Sequence, residues 1–187
     1  GRGKAFCAGH DLKQMTAILA RIQSMPQPVL AQVHGIATAA GCQLVATCDM
    51  AVAAEGTRFG VNGVNIGLFC STPMVALSRN IPRKHAFEML TTGEFIDASR
   101  AQELGLVNRV VPEQDLAMET QALSDKIAAK LGVAVKIGKQ AFYNQLQMPT
   151  DQAYAYTGDV MVENMLHRDT EEGISAFLEK RDPAWDQ

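Results

Sequence analysis

The sequence has no excess of basic residues and no long apolar run, and each absence excludes a class of function. Its 17 Lys and Arg are outnumbered by 20 Asp and Glu, which gives a net charge of −3 at pH 7. Nucleic-acid binding needs a basic face, so nucleic acid is not an expected partner. No stretch approaches the roughly 20 consecutive apolar residues that span a bilayer, so no membrane partner is expected either.

Signatures of metal and cofactor binding are also scarce. The cysteines Cys7, Cys42, Cys48 and Cys70 form no CxxC pair and have no Cys/His spacing suited to zinc. The four histidines form no HExxH motif, and neither a GxGxxG nor a Walker sequence occurs. We therefore expect no metal site, no separately bound cofactor, and thiols kept reduced inside a cell.

The chain is organised around a predicted strand, a turn of small residues and a helix. Residues 28–33 form a short apolar run typical of a buried strand, and a helix is predicted from about Gly41 to Cys48. The Gly and Ala residues between them leave the backbone uncovered, so a ligand can approach the amides. Because a helix N-terminus offers unpaired N–H groups, this turn suits a developing oxyanion. The segment also fits a tightly packed junction without any ligand.

A second turn of small residues, FCAGHDL over residues 6–12, strengthens the ligand-binding interpretation. Together with HGIATAAGCQ over residues 34–43, it resembles the paired signature of the crotonase family, the enoyl-CoA hydratase/isomerase superfamily. Further matches follow in order, ending with EGISAFLEKR over residues 172–181. The resemblance covers essentially the whole chain.

The resemblance implies an α/β fold, the ClpP-like crotonase spiral of ββα units. We expect the spiral core over residues 1–112 and a helical trimerisation region over residues 113–187, where only helices are predicted.

Members of this family carry a substantial portion before the first motif, so we expect part of the fold to be missing before Gly1. Residues are also missing between Met15 and Thr16, or the loop there is short. The expected compartment is the bacterial cytoplasm or the mitochondrial matrix.

The ligand that the resemblance implies is an acyl-CoA thioester, with coenzyme A as part of the substrate. The backbone N–H groups of His10 and Ala40 would polarise the thioester carbonyl and stabilise an enolate. The imidazole of His10 is not expected to act directly, and His34 is expected to make a structural hydrogen bond. The matching substrate-binding positions are Ala8, Asp11, Leu12, Gly41, Cys70, Phe177 and Lys180. Phe177 and Lys180 fit ordinary helix packing and a solvated lysine equally well.

Two departures from the family pattern concern proton transfer. Gln43 and Gly63 stand where hydratases of this family have glutamates. A glutamine can hold a water molecule but cannot exchange a proton near neutral pH, and glycine has no side chain. Ala39 and Ala40 replace two glycines, which is compatible with the turn if neither position requires a positive φ. Residues of the loop around Gly63 could supply a substitute group: Asn62, Asn65 and Cys70.

We expect an enzyme that transforms acyl-CoA thioesters as a homotrimer or a dimer of trimers. An isomerase, hydrolase or decarboxylase fits the two replacements better than an efficient hydratase. A non-catalytic acyl-CoA-binding or regulatory protein is the main alternative. A serine hydrolase of the related Clp-protease-like fold is disfavoured, because no serine lies in a nucleophile-like turn with an identifiable histidine partner.

Overall fold

A computed structural model of the chain describes residues 3, 5–7 and 12–185, with the backbone alone for residues 12–16. The chain forms two compact units. The first comprises Gly1–Gln23 and Val29–Ser124, and the second comprises Ser24–Pro28 and Asp125–Gln187. Within the described residues, no helix is long and apolar enough to cross a membrane.

The described part of the first unit contains two three-stranded sheets. Their strands are β1 (Leu30–Val33), β2 (Ile36–Thr38), β3 (Met50–Ala54), β4 (Arg58–Gly60), β5 (Ile96–Asp97) and β6 (Arg109–Val111). One sheet has the order β1-β3-β6 and is parallel throughout. The other has the order β2-β4-β5, in which β2 and β4 are parallel and β5 is antiparallel to β4.

Helices lie before, between and after these strands. They are α1 (Leu12–Ser24), α2 (Ala40–Thr47), α3 (Ser71–Asn80), α4 (Arg83–Thr92), α5 (Ala98–Glu103) and α6 (Leu116–Ala128), with 3-10 turns at Asn62–Ile66 and Glu113–Asp115. Asp97 caps α5 as its sequence position predicts, because its carboxylate accepts the Arg100 N–H at 2.7 Å.

Small buried residues bring the two neighbouring strands β2 and β4 close together. Ala37 and Phe59 are register partners and are both fully buried. Thr38 pairs with Gly60 at the last position of each strand. Because the two strands are parallel, the turn after β2 and the loop after β4 begin at the same edge of the sheet.

The second unit contains α7 (Gly132–Gln145), α8 (Thr150–Met165) and α9 (Arg168–Glu179), followed by a tail that Glu172 holds in place. The Glu172 carboxylate accepts two hydrogen bonds from Arg181, at 2.6 and 2.9 Å, and one from the Ala184 N–H at 2.9 Å. These hydrogen bonds lower the pKa of Glu172 from 4.5 to about 2. A Cβ at Gly173 would lie 2.9 Å from the Trp185 ring, so the ring packs directly against α9.

Replacing Glu172 by Gln is expected to release this tail. Trp185 is the chain's single tryptophan, so its emission should shift to the red and become easier to quench. Since the pKa of Glu172 is lower in the folded state, the wild-type contact is fully present above about pH 4.5 and is lost as the pH falls towards 2. Tryptophan emission recorded across that range tests both statements. Glu171→Gln is the control and should behave like the wild type; unchanged emission of Glu172→Gln would contradict the account.

Candidate functional site

The turn between β2 and α2 is made by Ala39, whose φ of +50° and ψ of −114° are rarely adopted by residues with a side chain. Its N–H donates to the Gly60 carbonyl at 2.9 Å, and its own carbonyl accepts the Gln43 N–H at 3.0 Å. The condition that neither alanine adopt a positive φ is therefore not met at Ala39, because the chain passes from strand to helix at this residue. It is met at Ala40, which begins the helix.

The geometry of this turn fixes the direction of the Ala40 N–H. In a trans peptide the carbonyl and the following N–H point in opposite directions. Since the Ala39 carbonyl points along α2 towards Gln43, the Ala40 N–H points out of the helix N-terminus. No group among the described residues accepts a hydrogen bond from it. This N–H is therefore available to a ligand at the positive end of the helix dipole.

Cys7 lies close to the same turn. Cys7 lies beside β2, where its N–H donates to the Ile36 carbonyl at 3.2 Å and its carbonyl accepts the Thr38 N–H at 3.0 Å. A Cβ at Gly41 would lie 2.8 Å from the Cys7 Cβ and closer still to its carbonyl oxygen, so only glycine fits there.

Several predicted site residues fall outside this description. Ala8, His10 and Asp11 lie outside the described residues, and so does the side chain of Leu12.

Gln43 is buried on α2, with 8% of its surface exposed, and its amide orientation is fixed. Nε2 donates to the Thr72 carbonyl at 3.1 Å, and a carbonyl can only accept, so Oε1 faces away from Thr72. Oε1 has no donor among the described residues, yet it is not a buried unpaired atom. Gln43 therefore offers a hydrogen-bond acceptor to a ligand or a water molecule, but it cannot act as a general acid or base.

Gly63 has no room for any side chain. It lies in the 3-10 turn Asn62–Ile66, and its carbonyl accepts the Leu68 N–H at 3.0 Å. A Cβ at this position would collide with the Leu68 carbonyl oxygen and lie 2.8 Å from Cys70 Sγ. The loop has thus folded into the space that a glutamate side chain would need, and the Cys70 thiol lies beside it.

A hydrogen bond closes a ring of contacts around the turn. The Thr38 hydroxyl and Asn62 Oδ1 are 2.6 Å apart. Asn62 is followed by Gly63, Gly63 packs against Cys70, and Cys70 leads through Ser71 to Thr72, which binds Gln43. The structure therefore brings the following predicted residues together: Ala40, Gly41, Gln43, Gly63 and Cys70.

The buried thiol of Cys42 is a poor nucleophile. Burial, with a smaller contribution from nearby Cys70, raises the pKa of Cys42 to about 12, so its thiol is protonated at neutral pH. All four cysteines lie within the described residues and none forms a disulfide. No cluster of three or more His, Cys, Asp or Glu in the described part could hold a metal ion.

The other predicted positions have local roles. His34 Nε2 lies 2.7 Å from the Gly3 carbonyl, which confirms the expected structural hydrogen bond. Phe177 and Lys180 lie in the second unit. Phe177 is 81% exposed, and Lys180 ends α9 with a φ of +56°.

A sequence model described as enoyl-CoA hydratase/isomerase matches residues 1–187. The chain belongs to the enoyl-CoA hydratase/isomerase family. Its fold is the crotonase fold of the solved family members. A crystal structure of an enoyl-CoA hydratase from Mycobacterium smegmatis superposes with a TM-score of 0.96 at 53% identity, over 100% of this chain and 79% of that one.

Curated members of the family extend the similarity. Enoyl-CoA hydratase domain-containing protein 3, mitochondrial, from Homo sapiens is 47% identical over 199 residues, 98% of this chain and 66% of that protein. Its crystal structure has a TM-score of 0.94. The short-chain-enoyl-CoA hydratase of Clostridium acetobutylicum is 31% identical over 95% of this chain and 74% of that protein. The chain spans about two thirds of the length of the domain-containing relatives.

The strained alanine of this family site is directly testable. Replacing Ala39 by Gly removes a conformational cost of about 1–3 kcal/mol from the folded state. Glycine also gives the unfolded chain more conformational freedom, which lowers stability by about 0.4–1 kcal/mol. The free energy of unfolding of the variant should therefore be about 1 kcal/mol higher, which raises the Tm by about 2–4 °C for a chain of this size. Ala37→Gly, in the fully buried middle of β2, is the control and should lower the Tm. A lower Tm for Ala39→Gly would contradict the strained turn.

Proposed function

We propose that this chain is an acyl-CoA-binding enzyme that holds a thioester carbonyl with the N–H groups of Ala40 and His10 and stabilises its enolate. The observation that carries the proposal is the Ala40 N–H, which points out of the α2 N-terminus with no acceptor among the described residues. An oxyanion gains most from donors that are already fixed before the reaction begins. The hydrogen bonds on both sides of Ala39 fix this one.

The reaction proposed for this site does not depend on two carboxylates. Gln43 offers an acceptor without an acid, and the closed loop at Gly63 leaves no space for a side chain. Hydration requires a base for the attacking water and an acid for the enolate. An isomerase, hydrolase or decarboxylase reaction therefore suits the site better than efficient hydration.

A non-catalytic acyl-CoA-binding protein is the second candidate. The loop at Gly63 favours it, because a site that only binds has no use for an acid or a base. Both candidates share the same thioester-binding donors, so binding comes first and turnover separates them.

We expect the full-length protein to bind crotonyl-CoA but not crotonic acid, since only the thioester presents a polarisable carbonyl joined to coenzyme A. Calorimetric titration checks the binding, and the loss of enoyl absorbance checks the hydration. Each proton transfer contributes about 10²–10⁴ in rate, so hydration should be far slower than tens per second.

Ala40→Val and Ala46→Val supply a matched pair for this measurement. Both alanines are buried on α2, but only Ala40 is at the turn. Ala40→Val should weaken binding strongly, and Ala46→Val should retain it. No heat and no thermal stabilisation with the wild type would reject the proposed function. Fast hydration would reject only the account of Gln43 and Gly63.

We also propose that the chain assembles as a homotrimer or a dimer of trimers. The described part of the second unit exposes large apolar side chains on each of its helices α7, α8 and α9, and exposed apolar surface is typical of protein interfaces. They include Phe142, Leu146, Tyr154, Met161, Met165, Leu166, Phe177 and Leu178. Light scattering at micromolar concentration should give three or six times the monomer mass. A monomer would contradict this assembly.

The proposed compartment keeps thiols reduced, as in the bacterial cytoplasm or the mitochondrial matrix. Cys42 and Cys70 are buried without forming a disulfide. The names of similar proteins include both mitochondrial and bacterial ones.

A further inference from the structure

We propose that Asn62, aimed by Thr38, is a third hydrogen-bond donor of the site and selects acyl-CoA thioesters that carry a second oxygen near the thioester carbonyl. The inference deepens the proposed function and rests on it. Its substrate class is the 3-oxoacyl thioester, which has an acceptor oxygen two carbons from the thioester carbonyl.

The short contact between the two side chains fixes the orientation of the Asn62 amide. A separation of 2.6 Å fits an O–H···O hydrogen bond and is shorter than N–H···O hydrogen bonds usually are. The Thr38 hydroxyl therefore donates to Asn62 Oδ1, and Nδ2 lies on the opposite side of the amide. Thr38 itself is 9% exposed, so its hydroxyl is held by the surrounding structure.

The two N–H bonds of Asn62 Nδ2 are available to a ligand. No hydrogen bond from Nδ2 occurs among the described residues. The described side chains also include no buried polar atom without a partner, so Nδ2 reaches solvent. A partly buried amide with one end fixed and the other end open is a preorganised donor.

The strand register places this donor beside the thioester-binding turn. Thr38 is two residues before Ala40, and Asn62 is two residues after Gly60, the register partner of Thr38. The Asn62 amide and the Ala40 N–H therefore emerge at the same edge of the β2-β4 pair. An amide stays neutral across the physiological range, so this donor can bind an oxygen without transferring a proton.

The same turn provides a matched control. Asn65, three residues further on, donates from Nδ2 to the Gly93 carbonyl at 3.4 Å and anchors the other end of the 3-10 turn. Asn65→Ala removes this long hydrogen bond but not the one between Thr38 and Asn62.

The test compares acetoacetyl-CoA with butyryl-CoA, which have the same chain length and differ by the oxygen at C3. The wild type should bind acetoacetyl-CoA more tightly. Asn62→Ala and Thr38→Val should reduce that preference by about threefold to tenfold, the range of a typical hydrogen bond. Asn65→Ala should retain the preference, and butyryl-CoA affinity should stay within about twofold in all three variants.

The outcomes separate this inference from the proposed function. Failure of the wild type to bind either thioester rejects the proposed function. Binding of both thioesters with equal affinity, or a loss of both in parallel in Asn62→Ala, overturns the donor role of Asn62. If Thr38→Val prefers acetoacetyl-CoA over butyryl-CoA as strongly as the wild type does, the positioning role of Thr38 is overturned. Because Val has nearly the same shape as Thr, this result does not depend on how well Asn62→Ala folds.

Discussion

The site depends on one backbone constraint, the change from strand to helix at Ala39. A residue with φ of +50° turns the chain so that its carbonyl points into α2 and the next N–H points outwards. This conformation costs energy for alanine, and hydrogen bonds to Gly60 and from Gln43 hold it in place. Gly41 then allows Cys7 to pack closely against the start of α2. A donor held in this way needs no reorganisation when a ligand arrives.

Around this turn, neither Gln43 nor Gly63 carries a carboxylate. The Gln43 amide donates a hydrogen bond to the Thr72 carbonyl, and Gly63 packs against the Leu68 carbonyl and the Cys70 thiol. A glutamate at Gly63 would require the loop to move. Gln43 and Gly63 therefore provide no carboxylate for proton transfer, while the Ala40 N–H remains a hydrogen-bond donor.

Much of this arrangement could be predicted from the sequence because it is local. Residues Met50–Ala54 are all apolar, which is typical of a buried strand, and they form β3. Asp97 caps α5, as an Asp directly before a helix predicts. The strand β2 was not predicted, because its three residues lie within a Gly- and Ala-rich stretch. The Thr38–Asn62 hydrogen bond depends on the register between β2 and β4, which joins residues far apart in sequence. The positive φ of Ala39 also comes from pairing on both sides of the turn.

The central claim is that fixed backbone donors polarise a thioester carbonyl at the α2 N-terminus. The most direct measurement is the infrared difference spectrum of crotonyl-CoA labelled with ¹³C at the thioester carbonyl, free and bound to the full-length protein. Hydrogen bonds to the oxygen weaken the C=O bond, so the account predicts a shift of the carbonyl band to lower frequency on binding. A bound thioester whose carbonyl band keeps its frequency in water, or shifts upwards, would contradict it.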